Sequence, residues 1–110
     1  MKICDMYRCK RVALGLTQKE LAQIVGVSVN TIVRFEAGER MSEGVFNDIR
    51  NAVEGYFKGL NRDEYFERRI FEGIYSLKYQ TTLEKIRTLN HMAVHIAKLV
   101  MDLVNDLENE

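Results

Sequence analysis

Two histidines have a spacing that can hold a metal ion. His91 and His95 lie four residues apart in a predicted helix. The zinc-protease motif requires a glutamate directly after the first histidine, and Met92 occupies that position. No cysteine or acidic residue nearby supplies an evident third ligand. We therefore predict no metal site and no cofactor.

The two cysteines offer no clear chemistry either. Cys4 and Cys9 lie five residues apart in another predicted helix and point in different directions, which disfavours a disulfide between them. We interpret them as reduced thiols of a cytoplasmic protein. They are too few for a zinc finger, and the sequence has no phosphate-binding loop or nucleophile elbow. Two histidines and several acids do not define a catalytic triad, so we predict no catalytic residue and no enzymatic activity.

The composition is that of a globular chain without a strong charge bias. Of 110 residues, 46% are hydrophobic and 29% are charged, with 16 basic and 16 acidic side chains. Residues 1–60 carry a net charge of +2 and residues 61–110 of −2, so charge alone does not identify a nucleic-acid partner. Nothing resembles a signal peptide, and polar side chains interrupt the most apolar stretch before it reaches membrane-spanning length. We expect no membrane partner.

Helix start and stop signals recur along a chain that has no proline, which predicts an all-α fold. The predicted N-caps are Thr17, Ser28, Ser42, Asn61 and Thr81, three of them with a glutamate at the third helical position. The first helix is predicted over Lys2–Leu14 and the last over about Thr82–Leu107. The break near Thr81 stays open, because the fifth and sixth helices could form one kinked helix.

The segment Gln18–Ala37 has the spacing of two short helices that cross steeply over a tight turn. Such a crossing requires a small residue at the contact, here Ala22, and a residue that tolerates positive φ in the turn, here Gly26. The apolar residues that would lock the two helices together are Leu21, Val25, Ile32 and Phe35. This pattern predicts a helix-turn-helix. The alternative is a helical hairpin in an all-α domain that never contacts DNA.

Over about Tyr7–Arg40 the sequence resembles the phage-repressor/Cro-like (XRE) helix-turn-helix family. The residues that carry the resemblance are Arg11-x-x-Leu14-Gly15-Leu16-Thr17-Gln18-x-Glu20-Leu21-Ala22, Gly26-Val27-Ser28, Ile32 and Arg34-Phe35-Glu36-x-Gly38. The resemblance implies a lambda-repressor-like helical bundle that regulates transcription by binding DNA. Val29 and Val33 stand where many relatives have glutamine and serine, so the operator sequence is not predicted.

In this motif the third helix, here predicted over residues 28–36, lies in the major groove. The residues expected on its exposed face are Ser28, Val29, Asn30, Val33 and Arg34. Arg34 can donate two hydrogen bonds to a guanine, and Asn30 can pair with an adenine edge. The two valines offer methyl contacts to thymine. The alternatives are that Arg34 contacts a phosphate and that Asn30 is only an exposed polar residue.

Two further residues are candidates for DNA contacts. The start of the second helix favours a phosphate through its free N–H groups and positive dipole end, and the resemblance implies that Gln18 contacts DNA there. Arg40, in the loop after the third helix, is a candidate phosphate contact. The resemblance also implies that Arg11 pairs with Glu36 as a structural ion pair that clamps the third helix onto the first.

The last helix carries an apolar seam. Its residues, at spacings of three and four, are Ile86, Leu89, Ala93, Ile96, Val100, Leu103 and Leu107. Because a single helix-turn-helix touches few base pairs, we predict that this helix forms a homodimer or a dimer of dimers. This divides the chain into a DNA-binding domain, residues 1–59, and a C-terminal helical oligomerisation region, residues 60–110. The alternative is that the fifth helix folds back and buries the seam within one chain.

These features favour a transcriptional regulator, specifically a repressor that binds a double-stranded DNA operator as a symmetric dimer. The second hypothesis is the antitoxin of a toxin–antitoxin pair, which would bind both its own operator and a toxin protein. The third is a small enzyme or a pure interaction module, which a DNA-inactive third helix would favour.

Overall fold

The computed structural model describes residues 2–109, and this part of the chain forms six α-helices and one 3₁₀ turn without any strand, which confirms the all-α prediction. The helices are α1 (Ile3–Ala13), α2 (Gln18–Val25), α3 (Val29–Glu36), α4 (Glu43–Lys58), α5 (Arg62–Ser76) and α6 (Thr82–Glu108). The 3₁₀ turn, Leu77–Tyr79, separates α5 from α6, so these two are distinct helices rather than one kinked helix.

Local capping explains where five of the helices begin. A side-chain oxygen accepts a hydrogen bond from the backbone N–H three residues further on at Thr17, Ser28, Ser42, Asn61 and Thr81, which confirms every predicted N-cap. The reciprocal bond of a capping box, from the N-cap backbone to a glutamate, is present in α2 and α6. In α5 the Glu64 carboxylate instead accepts from the Asn61 side-chain amide at 3.0 Å.

The hydrophobic core joins α2, α3 and α4. Its buried residues are Leu21, Ala22, Ile32, Phe35, Ile49, Val53 and Phe57. Tyr7 of α1 adds its ring to this core, with centroids 6.0 Å from both Phe35 and Phe46 in edge-to-face geometry. Burying a large apolar side chain contributes roughly 1.5–3 kcal/mol, so this core holds α3 firmly against its neighbours.

α5 packs along α1 and belongs to the same compact unit. Lys10 Nζ lies 3.2 Å from the Glu72 carboxylate and 5.3 Å from the centroid of the Phe57 ring. Arg68 donates to the Ala13 carbonyl at 3.4 Å. Because of these contacts the compact unit extends to Tyr79, beyond the predicted boundary after residue 59.

Cys9 lies on the buried side of α1 and is only 1% exposed. Burial, reinforced by the nearby Glu72 carboxylate, raises the pKa of the Cys9 thiol to about 11. Cys4 and Cys9 are both free thiols, in agreement with the expectation that they do not bridge. Cys9 therefore acts as a small apolar residue of the α1 packing surface and stays protonated at neutral pH.

The second compact unit begins at Gln80 and consists mainly of α6, a helix of 27 residues. None of the described residues of α6 is buried. The α6 seam, defined as Ile86, Leu89, Ala93, Ile96, Val100, Leu103 and Leu107, is exposed along its length. A continuous exposed apolar stripe of this kind is typical of a surface that binds another protein surface.

Candidate nucleic-acid interface

The turn between α2 and α3 has the geometry that the sequence pattern predicts. Gly26 adopts φ 85°, a left-handed conformation that a side chain would disfavour. The N–H groups of Gly26 and Val27 both donate to the Ala22 carbonyl, at 2.9 and 3.0 Å, and so close the end of α2. Ala22 is buried at the helix contact, where a larger side chain would push α3 away. The turn therefore fixes the direction in which α3 leaves α2.

α3 has one buried side and one exposed side. Ile32 and Phe35 anchor it in the core. The residues exposed on the other side are the predicted ones, Ser28, Val29, Asn30, Val33 and Arg34. Val29 and Val33, each 40% exposed, lie one turn apart, and so do Asn30 and Arg34. The exposed side thus presents a pair of methyl-bearing side chains beside a pair of hydrogen-bonding ones.

Arg34 is not free in this structure. Its Nε donates to Glu39 Oε2 at 2.9 Å, and both side chains are about half exposed. Glu39 follows Gly38, whose φ of 87° turns the chain back toward the end of α3. An exposed ion pair of this kind is worth at most about 1 kcal/mol, so a stronger partner can replace the carboxylate. Arg40, the next residue, is exposed in the same loop.

The N-terminus of α2 also faces solvent in part. Thr17 caps it and is exposed, whereas Gln18, the first helical residue, is half-buried. Gln18 Nε2 donates to Glu36 Oε2 at 3.2 Å, so the side-chain amide is held by the end of α3. The unbonded N–H groups of the first helical turn and the positive end of the helix dipole make this end suited to an anion.

Glu36, the last residue of α3, is the centre of a buried polar cluster. Its side chain is 2% exposed, and Arg11 Nε lies 2.5 Å from its Oε1. Arg11 also donates to the Leu16 carbonyl at 2.8 Å. The expected partners, Arg11 and Glu36, are thus in contact, together with Gln18. Within the described range no buried polar side-chain atom lacks a hydrogen-bond partner.

Arg8 is a member of this cluster that sequence reasoning missed. Its Nη2 donates to the Glu36 backbone carbonyl at 3.1 Å, and its Nη1 donates to the Tyr79 hydroxyl at 3.3 Å. The bond to Tyr79 raises the pKa of the Arg8 guanidinium, which stays charged. Arg8 lies one helical turn before Arg11, and this spacing alone could have indicated that both arginines face α3. Its contact with Tyr79, 71 residues away, cannot be predicted from the spacing of residues within α1.

The other sequence candidates do not assemble into a site for chemistry. His91 and His95 approach to 2.9 Å between their Nε2 atoms, but among residues 2–109 no cluster brings together three potential metal ligands. No helix in the described part of the chain is both long enough and apolar enough to cross a membrane.

Comparison with known protein families identifies part of the chain. A family model described as Helix-turn-helix matches residues 9–43, which run from Cys9 of α1 to the first residue of α4. The matched segment contains both helices of the crossing, the Gly26 turn and the Arg11–Glu36 contact. No curated protein and no solved structure matches the chain.

Proposed function

Residues 9–43 are a helix-turn-helix of the phage-repressor/Cro-like (XRE) family, a DNA-binding unit of transcription regulators, and from this premise we propose that the protein is a sequence-specific repressor. The observation that carries the proposal is the exposed side of α3. It is rigidly held from behind by Ile32 and Phe35, and it presents Asn30 and Arg34 to solvent. A helix of this shape and exposure fits the major groove.

The proposed contacts divide into base contacts and phosphate contacts. Arg34 donates to the O6 and N7 atoms of a guanine, and Asn30 pairs with an adenine. Val29 and Val33 pack on thymine methyl groups. Ser28, the N-cap of α3, lies at the positive end of that helix, where a phosphate oxygen is favoured, and Gln18, the first helical residue of α2, lies at the positive end of α2. Arg40 contacts a phosphate from the loop that follows α3. The phosphate contacts supply affinity, and the base contacts supply selection.

We place this unit in a homodimer that binds a two-fold operator. One α3 reaches only a few base pairs, and two copies related by a two-fold axis double the contacted sequence. The exposed α6 seam supplies an apolar surface for association of two chains. Bound at a promoter in the cytoplasm, such a dimer blocks transcription by occupying the site.

Selection of bound sites from a pool of random DNA duplexes tests the proposal. With the full chain we expect enrichment of a two-fold symmetric sequence whose half-site centres lie about 10 base pairs, or a multiple, apart. The same selection with Arg34→Ala should lose the preference at one base position in each half-site. Arg50→Ala, which removes an exposed arginine of α4 outside the helix-turn-helix, is the matched control and should select the same site as the unmodified chain. Recovery of random sequence by the unmodified chain would refute the proposal.

A further inference from the structure

The charges of α6 are arranged against its own helix dipole. The described acidic residues of its second half are Asp102, Asp106 and Glu108, and its last turn has no basic residue. Lys85 and Arg87 lie near its N-terminus. A lone helix prefers the opposite arrangement, with acids at the start and bases at the end, although Glu84 is well placed in the capping box. Asp106 and Glu108 at its C-terminal end therefore gain nothing from the dipole of α6, but they complement the N-terminal end of a helix that runs the other way.

The α6 seam has one small residue, and it lies near the middle. The small residue is Ala93. The next seam residue is Ile96, and the seam residues on either side of this pair, Leu89 and Val100, are both larger than alanine. In a parallel pair of helices, equivalent residues meet, so Ala93 would face Ala93 and leave a gap at the centre. In an antiparallel pair the two kinds of seam position face each other, so a small residue can lie opposite a large one.

We propose that two copies of the chain associate through the α6 seam as an antiparallel pair, with Ala93 of each copy opposite Ile96 of the other. This inference rests on the homodimer proposed above and specifies its partner, direction and register. The partner that covers the seam is a second copy of the chain, because in an antiparallel pair the small and large seam residues of one copy match those of the other.

The register follows from placing Ala93 against Ile96. Ile86 then lies opposite Leu103 of the second copy, and Leu89 lies opposite Val100. The layers between residues 86 and 103 are all apolar. In the same register Lys85, which precedes the seam, flanks Asp106 of the second copy, and symmetry forms this pair twice. The pairing that fills the centre of the seam is thus also the one that matches the exposed charges at its ends.

A parallel arrangement lacks both features. It would bring Asp106 and Glu108 of the two chains to the same end, and it would hold Lys85 and Asp106 roughly 30 Å apart, at about 1.5 Å rise per residue. The antiparallel arrangement also separates the two points at which α6 begins. Thr82 lies opposite Leu107 of the second copy, so the two helix starts are about 38 Å apart along the axis.

Cross-linking of the full chain distinguishes the two directions. In a Cys4→Ser background the buried Cys9 is the remaining native thiol. Ile86→Cys and Leu103→Cys chains are prepared separately, mixed, and treated with a short bis-maleimide. We expect a cross-linked dimer in the mixture and none with either chain alone. Cross-linking of each chain alone, with no gain on mixing, would show a parallel dimer and overturn the proposal while leaving the proposed function intact.

A charge exchange provides an independent test that does not alter the seam. Lys85→Glu should weaken the dimer roughly three- to ten-fold in dissociation constant, because two exposed ion pairs become like-charge contacts. Adding Asp106→Lys in the same chain should restore the original value. Lys98→Glu, on the polar side of α6, is the matched control and should leave the constant unchanged. Lack of rescue in the double variant contradicts the register. Sedimentation of the unmodified chain as a monomer at micromolar concentration would refute both the dimer and its direction, whereas site selection by α3 would stand.

Discussion

Arg34 is the residue on which base selection depends most in this account. It projects from the exposed side of α3, and its guanidinium can donate two parallel hydrogen bonds to one guanine edge. We expect Arg34→Ala to weaken binding to the selected duplex by roughly 1–3 kcal/mol and to reduce discrimination at one base position in each half-site. Fluorescence anisotropy with single-base variants of the duplex measures both effects. A uniform loss over all duplexes would instead assign Arg34 to a phosphate.

If Arg34 binds DNA as proposed, Glu39 competes with DNA for it. Its carboxylate holds the Arg34 Nε at 2.9 Å, and it adds a negative charge beside the proposed phosphate contact Arg40. Glu39→Gln should therefore tighten DNA binding by several-fold. Arg34 then leaves no ion pair when it binds DNA, and the Glu39 carboxylate no longer repels the DNA phosphates. Glu67→Gln on α5 removes another exposed acid and is the control for net charge. Weaker binding by Glu39→Gln would show that the carboxylate orients Arg34 rather than competing for it.

The residues of the α3 surface could be predicted because helical spacing and the Ser28 cap fix which side chains share a side. Glu39 could not, because its approach to Arg34 depends on the positive φ of Gly38 and not on helical periodicity. Arg8 was missed for a similar reason, since one of its two partners, Tyr79, belongs to a 3₁₀ turn far along the chain.

At the scale of elements, the Glu36 cluster determines how α3 is held against α1 and α2. Glu36→Ala should destabilise the fold by roughly 2–3 kcal/mol, because Arg11 loses its partner while still largely buried. Replacing Arg11 together with Glu36 by apolar residues of similar size should cost less than the Glu36 change alone. Denaturant unfolding of the two single variants and the double variant measures this coupling. Strictly additive losses would mean that the two side chains act independently.

Because Cys9 is buried in the α1 packing surface, we expect the stability of the fold to fall at alkaline pH. The folded-state pKa of this thiol is raised from 9.0 to about 11, so the folded chain keeps a proton that the unfolded chain releases. The contribution of Cys9 to the free energy of unfolding is fully present below pH 9 and is lost as the pH rises toward about 11. The slope is at most about 1.4 kcal/mol per pH unit. Denaturant unfolding between pH 8 and pH 11 should show a steeper decline for the unmodified chain than for Cys9→Ala. Parallel declines would contradict a buried thiol at this position.

Helix boundaries were predictable to within a residue or two because caps are local. A Thr or Ser hydroxyl that binds an N–H three residues ahead needs no distant partner, and Thr17 and Thr81 illustrate this. The partner of α5 was not predictable from the same signals. Its apolar spacing showed that it must bury one side, but only contacts such as Lys10 with Glu72 identify α1 as the surface that receives it.

At the scale of the whole molecule, the position of α5 sets how far the chain can be shortened. A chain that ends after Gln80 should fold as a monomer, because it keeps the complete compact unit and lacks α6. A chain that ends after Gly59 loses the cover of α1 and should melt about 10 °C or more below the longer fragment. Circular dichroism and sedimentation measure the two properties. Equal melting temperatures would show that α5 contributes nothing to the fold, and a dimeric longer fragment would place the dimer contact outside α6.

The central claim is that α3 selects a DNA sequence. The most direct measurement compares the affinity of the full chain for its selected duplex with that for a shuffled duplex of equal length and composition, at physiological salt. We expect a dissociation constant about a thousand-fold lower, or more, for the selected duplex. Arg34→Ala should remove a large part of this ratio. Equal affinities for the two duplexes, with binding that simply disappears as salt rises, would contradict the central claim, because phosphate contacts alone would then explain all of the binding.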